Sequence, residues 1–310
     1  MKKAGIRHSA SILFTVLLSI LILLVIPIVA FADMGPKPSV QITFENLGDE
    51  LCYGTLLSKT DSTGPASAWD GNPSHAKYKE LYSYAALDYD NWKAFVEYKD
   101  KDGFYFLQEA WQVNETKELA WTYYPPRKFK ILLYFPERGE FLSSGIYERY
   151  AFDSYFTVDM KNQEEGLSAY KLENGNLKAN PSYHYGWELF SFTARVFMTM
   201  VIELAVAVFF GFREKNQLKL ILAVNILTQF LLNVCLNIVN YYSGSMLFVM
   251  CYVLLEILVF AVEAVLFCRF LNRFSVKKRT KGFIIVYTLA ANTVSFLGGL
   301  WISIQLPGIF

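Results

Sequence analysis

The residues best equipped for chemistry lie where charge is hardest to accommodate. Arg195, Glu203, Glu256 and Glu263 fall inside or beside strongly apolar runs at 189–210, 218–239, 247–267 and 283–304. A charged side chain at the centre of a bilayer costs ~2.5–3.5 kcal/mol on insertion scales, so each of them asks for a reason. Their spacing is ordered. Arg195, Thr199 and Glu203 recur every four residues along one helical ridge. Asn225, Gln229, Asn233 and Asn237 do the same in the second run, with Thr228 beside them, and Glu256 and Glu263 share a face in the third. Asn292, Thr293 and Ser295 mark the middle of the fourth. Counted from the centre of each run, Glu203 and Asn225 share a depth, Glu256 and Asn292 sit near the midplane, and Glu263 lies deeper.

Such an intramembrane polar cluster has two readings. Amides and hydroxyls can hold helices together by hydrogen bonds worth under ~1–2 kcal/mol each, with the acids joining the network. Alternatively, acids facing a bundle interior mark a path for ions or protons, and three of them exceed what simple adhesion needs. Single Gln replacements separate the two, because an amide keeps size and most hydrogen bonds while removing the titration. Cys235 and Cys251 fall at comparable depth and read as small buried hydrophobes.

The elements that must position these groups follow from length and charge. Each run holds roughly the 20 residues that a helix rising ~1.5 Å per residue needs to cross a ~30 Å hydrocarbon core. The connection at 268–282 carries Arg269, Arg273, Lys277, Lys278, Arg279 and Lys281, which places it on the cytoplasmic side. The 211–217 connection, with Arg213 and Lys215, then also lies inside, and the uncharged 240–246 connection outside. Trp187, Tyr241, Tyr242 and Trp301 fall at the outer ends, where amphipathic rings favour the headgroup level. At the start of the chain, Lys2, Lys3 and Arg7 precede an apolar stretch ending in Ala30-Phe31-Ala32. This describes a signal peptide at 1–32, or an uncleaved anchor; either leaves 33–186 outside.

Residues 33–186 have a size typical of one compact core. They hold 16 Lys and Arg against 23 Asp and Glu, a balance of −7 that argues against nucleic acid as partner. Cys52 is their one cysteine, so the core rests on burial without a disulfide. Residues 40–45 alternate apolar and polar, and 128–135 nearly do, as half-buried strands require. Further strands are expected at 51–58, 104–113, 119–124, 141–144, 147–152 and 155–160, a spacing that suggests a sandwich. One helical interruption is expected, from Tyr78, Leu81, Tyr82 and Ala85 and continuing at Trp92, Phe95 and Val96 after a break near 88–90. Asp100-Lys101-Asp102-Gly103 resembles the middle of a calcium loop, but Tyr98 occupies the first ligand position and no Glu closes it, so a turn is the better reading. No metal spacing, nucleophile elbow or phosphate loop occurs, and no cofactor is implied. The aromatic residues Trp69, Trp111, Trp121, Tyr123, Tyr124, Tyr147, Tyr150 and Tyr155 serve a core, or a face for a glycan or peptide.

The stretch from Cys52-Tyr53-Gly54-Thr55 to Ser62-Thr63-Gly64-Pro65, with Glu203, Asn225-x-x-Thr228 and Glu263, resembles a group of uncharacterised bacterial membrane proteins. That resemblance implies a bacterial cell envelope and no particular chemistry. The expected architecture is an α+β membrane protein: an extracytoplasmic β-sandwich-like domain, then a four-helix transmembrane bundle at 187–310. The expected function is a membrane-anchored recognition or accessory protein whose outer domain binds a glycan or peptide. It would act through a membrane partner or as a homo-oligomer. The alternative is a small transporter, ion-path protein or intramembrane enzyme built on the glutamates.

Overall fold

A computed structural model of the chain describes residues 35–79, 87–161 and 177–305. The expected signal peptide at 1–32 lies outside the described residues. The chain divides into two compact units, Lys37–Tyr183 and the helices that follow from His184.

The first unit is built on two sheets. In one, β11 (Asp153–Asp159) pairs in parallel with β1 (Ser39–Glu45), which pairs antiparallel with β7 (Glu118–Trp121), and β12 (Asn180–Pro181) closes the far edge. In the other, β2 (Tyr53–Ser58) lies antiparallel between β8 (Lys128–Phe135) and the short β5 (Tyr105–Phe106) and β6 (Trp111–Gln112). β9 (Glu140–Ser143) and β10 (Tyr147–Glu148) pair with β8, and β3 (Ser62–Thr63) and β4 (Ala66–Ser67) form a separate short antiparallel pair. Val40, Ile42 and Phe44 from the first sheet share one core with Leu56, Phe129, Ile131 and Leu133 from the second. Because side chains alternate along a strand, Tyr53 and Leu57 of β2 and Leu132 of β8 point the other way. There they meet α1 (Tyr89–Glu97) through Trp92 and Phe95. The second sheet is therefore covered on both faces, which explains why β2 is buried at every position and does not alternate.

This third layer qualifies the expected sandwich. Of the expected helical interruption, the part carrying Leu81, Tyr82 and Ala85 lies outside the described residues; the part carrying Trp92, Phe95 and Val96 is α1, which Asp88 caps by accepting a hydrogen bond from the Asn91 backbone at 2.9 Å. The long strand expected at 104–113 is two short pieces instead, since Gln108 takes a positive φ and its side chain crosses to Trp92 Nε1 and the Lys77 backbone. Gly54 leaves no room for a side chain between the two sheets. A Cβ there would lie 2.9 Å from Leu119 Cδ1 and 3.1 Å from Val113 Cγ1.

The helical unit comprises α2 (Tyr185–Phe209), α3 (Lys215–Phe270) and α4 (Lys281–Gln305), all long and apolar enough to cross a membrane. At 56 residues α3 would extend ~84 Å if straight. It breaks at Gly244, whose φ of 79° and ψ of 179° suit a residue without Cβ. Thr228 Oγ1 then lies 2.6 Å from Glu263 Oε1 although 35 residues separate them, so the limbs on either side of Gly244 fold back on one another. Glu214 Oε1 accepts a hydrogen bond from the Val276 backbone at 2.8 Å, which ties the two basic connections together at one end. Cys235 is exposed and Cys251 half-buried, in contrast to the buried positions expected of them.

Candidate functional site

The helical unit buries a polar cluster beside apolar residues and turns many large apolar side chains outward. Leu189, Phe197, Val201, Leu227, Phe230, Ile257, Val265 and Leu297 are exposed, while Glu203, Asn225, Gln229, Asn233, Glu263, Thr288 and Asn292 are buried. Water selects the reverse arrangement and hydrocarbon selects this one.

At its centre, Glu263 gathers two elements. Thr228 Oγ1 donates to its Oε1 at 2.6 Å, and Asn292 Nδ2 donates to its Oε2 at 2.8 Å. One turn along α4 from Asn292, Ser295 Oγ donates to Glu203 Oε1 at 3.2 Å, which brings α2 into the same network. Asn225, one turn before Thr228 and fully buried, sets its amide beside the Glu203 carboxyl, but neither of its polar atoms completes a hydrogen bond of good geometry. Glu203 Oε2, Asn292 Oδ1 and Gln229 Nε2 are likewise buried without a hydrogen-bond partner among the described residues. The fully buried Tyr287 points its hydroxyl into this region, within electrostatic reach of Glu203 and Glu263.

Helical ridges brought these residues together, but the depth order differs from that counted along the sequence. Glu263 stands level with Asn292, since the two are hydrogen-bonded; the limbs are staggered, and counting from run centres misses this. Glu256 lies nearer Tyr252 and is only partly buried. Arg195 donates to Asn237 Oδ1 at 2.9 Å, about two helical turns from Glu203, and Thr199 is buried between them on α2. Asn233 Nδ2 is used locally, on the Gln229 carbonyl at 2.9 Å. Tyr287 and Thr288 went unnoticed in the sequence, although Thr288, Asn292 and Ser295 form a legible polar ridge.

In the β-rich unit, the loop that resembles a calcium site has a protein cation of its own. Lys130 Nζ lies 2.6 Å from both Asp100 Oδ1 and Asp102 Oδ2, with its side chain only 1% exposed. Asp100 Oδ2 accepts the backbone N–H groups of Asp102 and Phe104 at 2.9 and 3.2 Å. Burial pulls the Lys130 pKa down, but hydrogen bonds from its ammonium to both aspartates outweigh this and hold it above the ordinary lysine value. The same ammonium holds Asp102 below the usual carboxylate range. Above this pair opens a cleft of about 360 Å³ walled by Trp69, Phe95, Tyr98, Phe104, Tyr105 and Phe106.

Comparisons with protein-family models, with curated proteins and with solved structures find no match to this chain. Among the described residues no group of three His, Cys, Asp or Glu is arranged to hold a metal ion. In the cleft, Phe95, Phe104 and Phe106 are buried, whereas Trp69 and Tyr98 are partly exposed and Tyr105 is exposed, with Lys99 beside them.

Proposed function

We propose that the protein is a membrane-anchored recognition module of a bacterial cell envelope, whose β-rich unit stands outside the membrane and binds a glycan or peptide chain in the aromatic cleft. The observation that carries this reading is the cleft itself. Its volume lies within the range of small-ligand sites, and rigid aromatic walls give large contact area at little entropic cost. Tyr105 is half exposed at its rim, available to a ligand.

The apolar exterior of the helices supports the anchor, with the limbs on either side of Gly244 giving four crossings in all. The contact between Glu214 and Val276 supports reading both basic connections on one side, and their excess of Lys and Arg supports the cytoplasmic one. Trp187, Tyr242 and Trp301, all exposed, then mark the outer boundary. Output would pass through a membrane partner or a second copy.

The full chain in lipid nanodiscs, probed on glycan and peptide arrays, tests the reading. We expect a ligand retained by the wild type and weakened at least about tenfold by Trp69→Ala and by Tyr105→Ala. Equal retention by both variants, or no ligand on either array, would overturn it.

A further inference from the structure

Among the described residues no Lys or Arg forms an ion pair with Glu203, Glu256 or Glu263. Arg195, the one basic side chain among the expected polar cluster, directs its Nη2 to Asn237. Adhesion between helices does not account for the rest. If amides and carboxyls served only to join helices, their polar atoms would be spent on one another. Instead, among the described residues Asn225 lies beside the Glu203 carboxyl without completing a hydrogen bond of good geometry, Asn292 uses only its NH₂, and its own Oδ1 and Glu203 Oε2 find no partner of good geometry.

We propose that Glu203, Asn225, Glu263 and Asn292 form a binding site for one small monovalent cation, of the size and charge of sodium. The chemistry of the donors fits this ion. The unused acceptors are carboxyl and amide oxygens, hard ligands of the kind that replace the hydration shell of an alkali ion. Thr228 and Ser295, donating to Glu263 and Glu203, hold the carboxyls in place. Few oxygens are on offer for calcium, which takes 6–8, and magnesium sheds its waters reluctantly, so a divalent ion is poorly served. Charge agrees: one cation offsets one carboxylate in a region where an uncompensated charge is costly. The four residues come from α2, both limbs of α3 and α4, so occupancy would draw the helical unit together.

The full chain is purified in mild detergent and exchanged into choline chloride, then into sodium, lithium or potassium chloride at matched ionic strength. Radioactive sodium should be retained at about one ion per chain, and the helices should melt higher in sodium than in choline. Asn225→Leu and Glu203→Gln should each weaken retention at least about tenfold and remove the sodium-dependent rise in melting temperature. Asn237→Ala, which touches Arg195 instead, should retain sodium as the wild type does. If Glu203→Gln does not assemble, Asn225→Leu carries the comparison. Identical melting of the wild type in sodium and choline at every pH overturns the proposal, in favour of acids that carry only their own protons. Retention undiminished in Asn225→Leu overturns it as well, by placing the ion elsewhere.

Discussion

Replacing Lys130 by Met tests the most closely determined interaction in the β-rich unit. The substitution keeps the length of the stem, which is buried in β8 beneath the Phe104 ring, and removes the ammonium. Asp100, whose side chain is fully enclosed, is then left with two backbone N–H groups and no counter-charge. Breaking a buried pair from one side costs ~3–5 kcal/mol, because the surviving charge stays desolvated. Asp102 adds little, since it is partly exposed and regains water. For a unit of this size, ~3–4 °C per kcal/mol converts that loss to a fall of roughly 10–20 °C in Tm. Urea unfolding followed by tryptophan fluorescence measures it, as four of the six tryptophans belong to this unit. Asp100→Asn combined with Lys130→Met removes the orphaned charge, and should recover at least ~1.5 kcal/mol relative to additivity. A Lys130→Met protein within ~1 kcal/mol of the wild type, with no coupling to Asp100, would refute the reasoning.

The same pair gives a pH dependence. The Asp102 value is lowered on folding, so its contribution is present above ~pH 4, where the unfolded residue is ionised, and is lost as pH falls through the lowered folded value. The Lys130 value is raised, so its contribution is complete below ~pH 10 and lost as pH rises through the folded value; urea midpoints of Lys130→Met should show neither loss. Gly54→Ala should destabilise by ~1–3 kcal/mol in the same assay, because its Cβ meets Leu119, Val113 and Leu133 at 2.9–3.2 Å between packed sheets. For the membrane orientation, Val276→Cys, 94% exposed, should resist an impermeant thiol reagent in intact cells while Ser243→Cys reacts, in a background lacking native cysteines. The opposite pattern would invert the assignment.

What was legible in the sequence depended on whether one periodicity governed one environment. β1 alternates because one of its faces meets the core and the other does not, and its bounds were close. β8 also seemed to alternate, with Lys128 and Lys130 on a polar face. That face is instead roofed by α1 and the 100–104 turn, so Lys130 is enclosed and the turn's acids are committed to it. Nothing within seven residues of Lys130 signals this, because its partners lie 28 and 30 positions away. In the helices, 3.6-residue ridges singled out Glu203, Asn225, Thr228, Glu263 and Asn292, and the fold joins all five. Depth was less legible, since it depends on how the limbs slide against one another, and that is set by packing between helices.

The position of Cys52 has a use in measurement. It is the single thiol of its unit, fully buried in the core between the sheets, and burial pushes it up to about 12. A thiol so placed reacts with a probe only when the sheets part. With Cys235, Cys251 and Cys268 replaced, the labelling rate of Cys52 therefore counts opening events of the β-rich unit directly, in native conditions and without denaturant. The chain thus carries its own reporter for how often its β-rich unit comes apart, and a ligand held in the aromatic cleft would register as a slower rate.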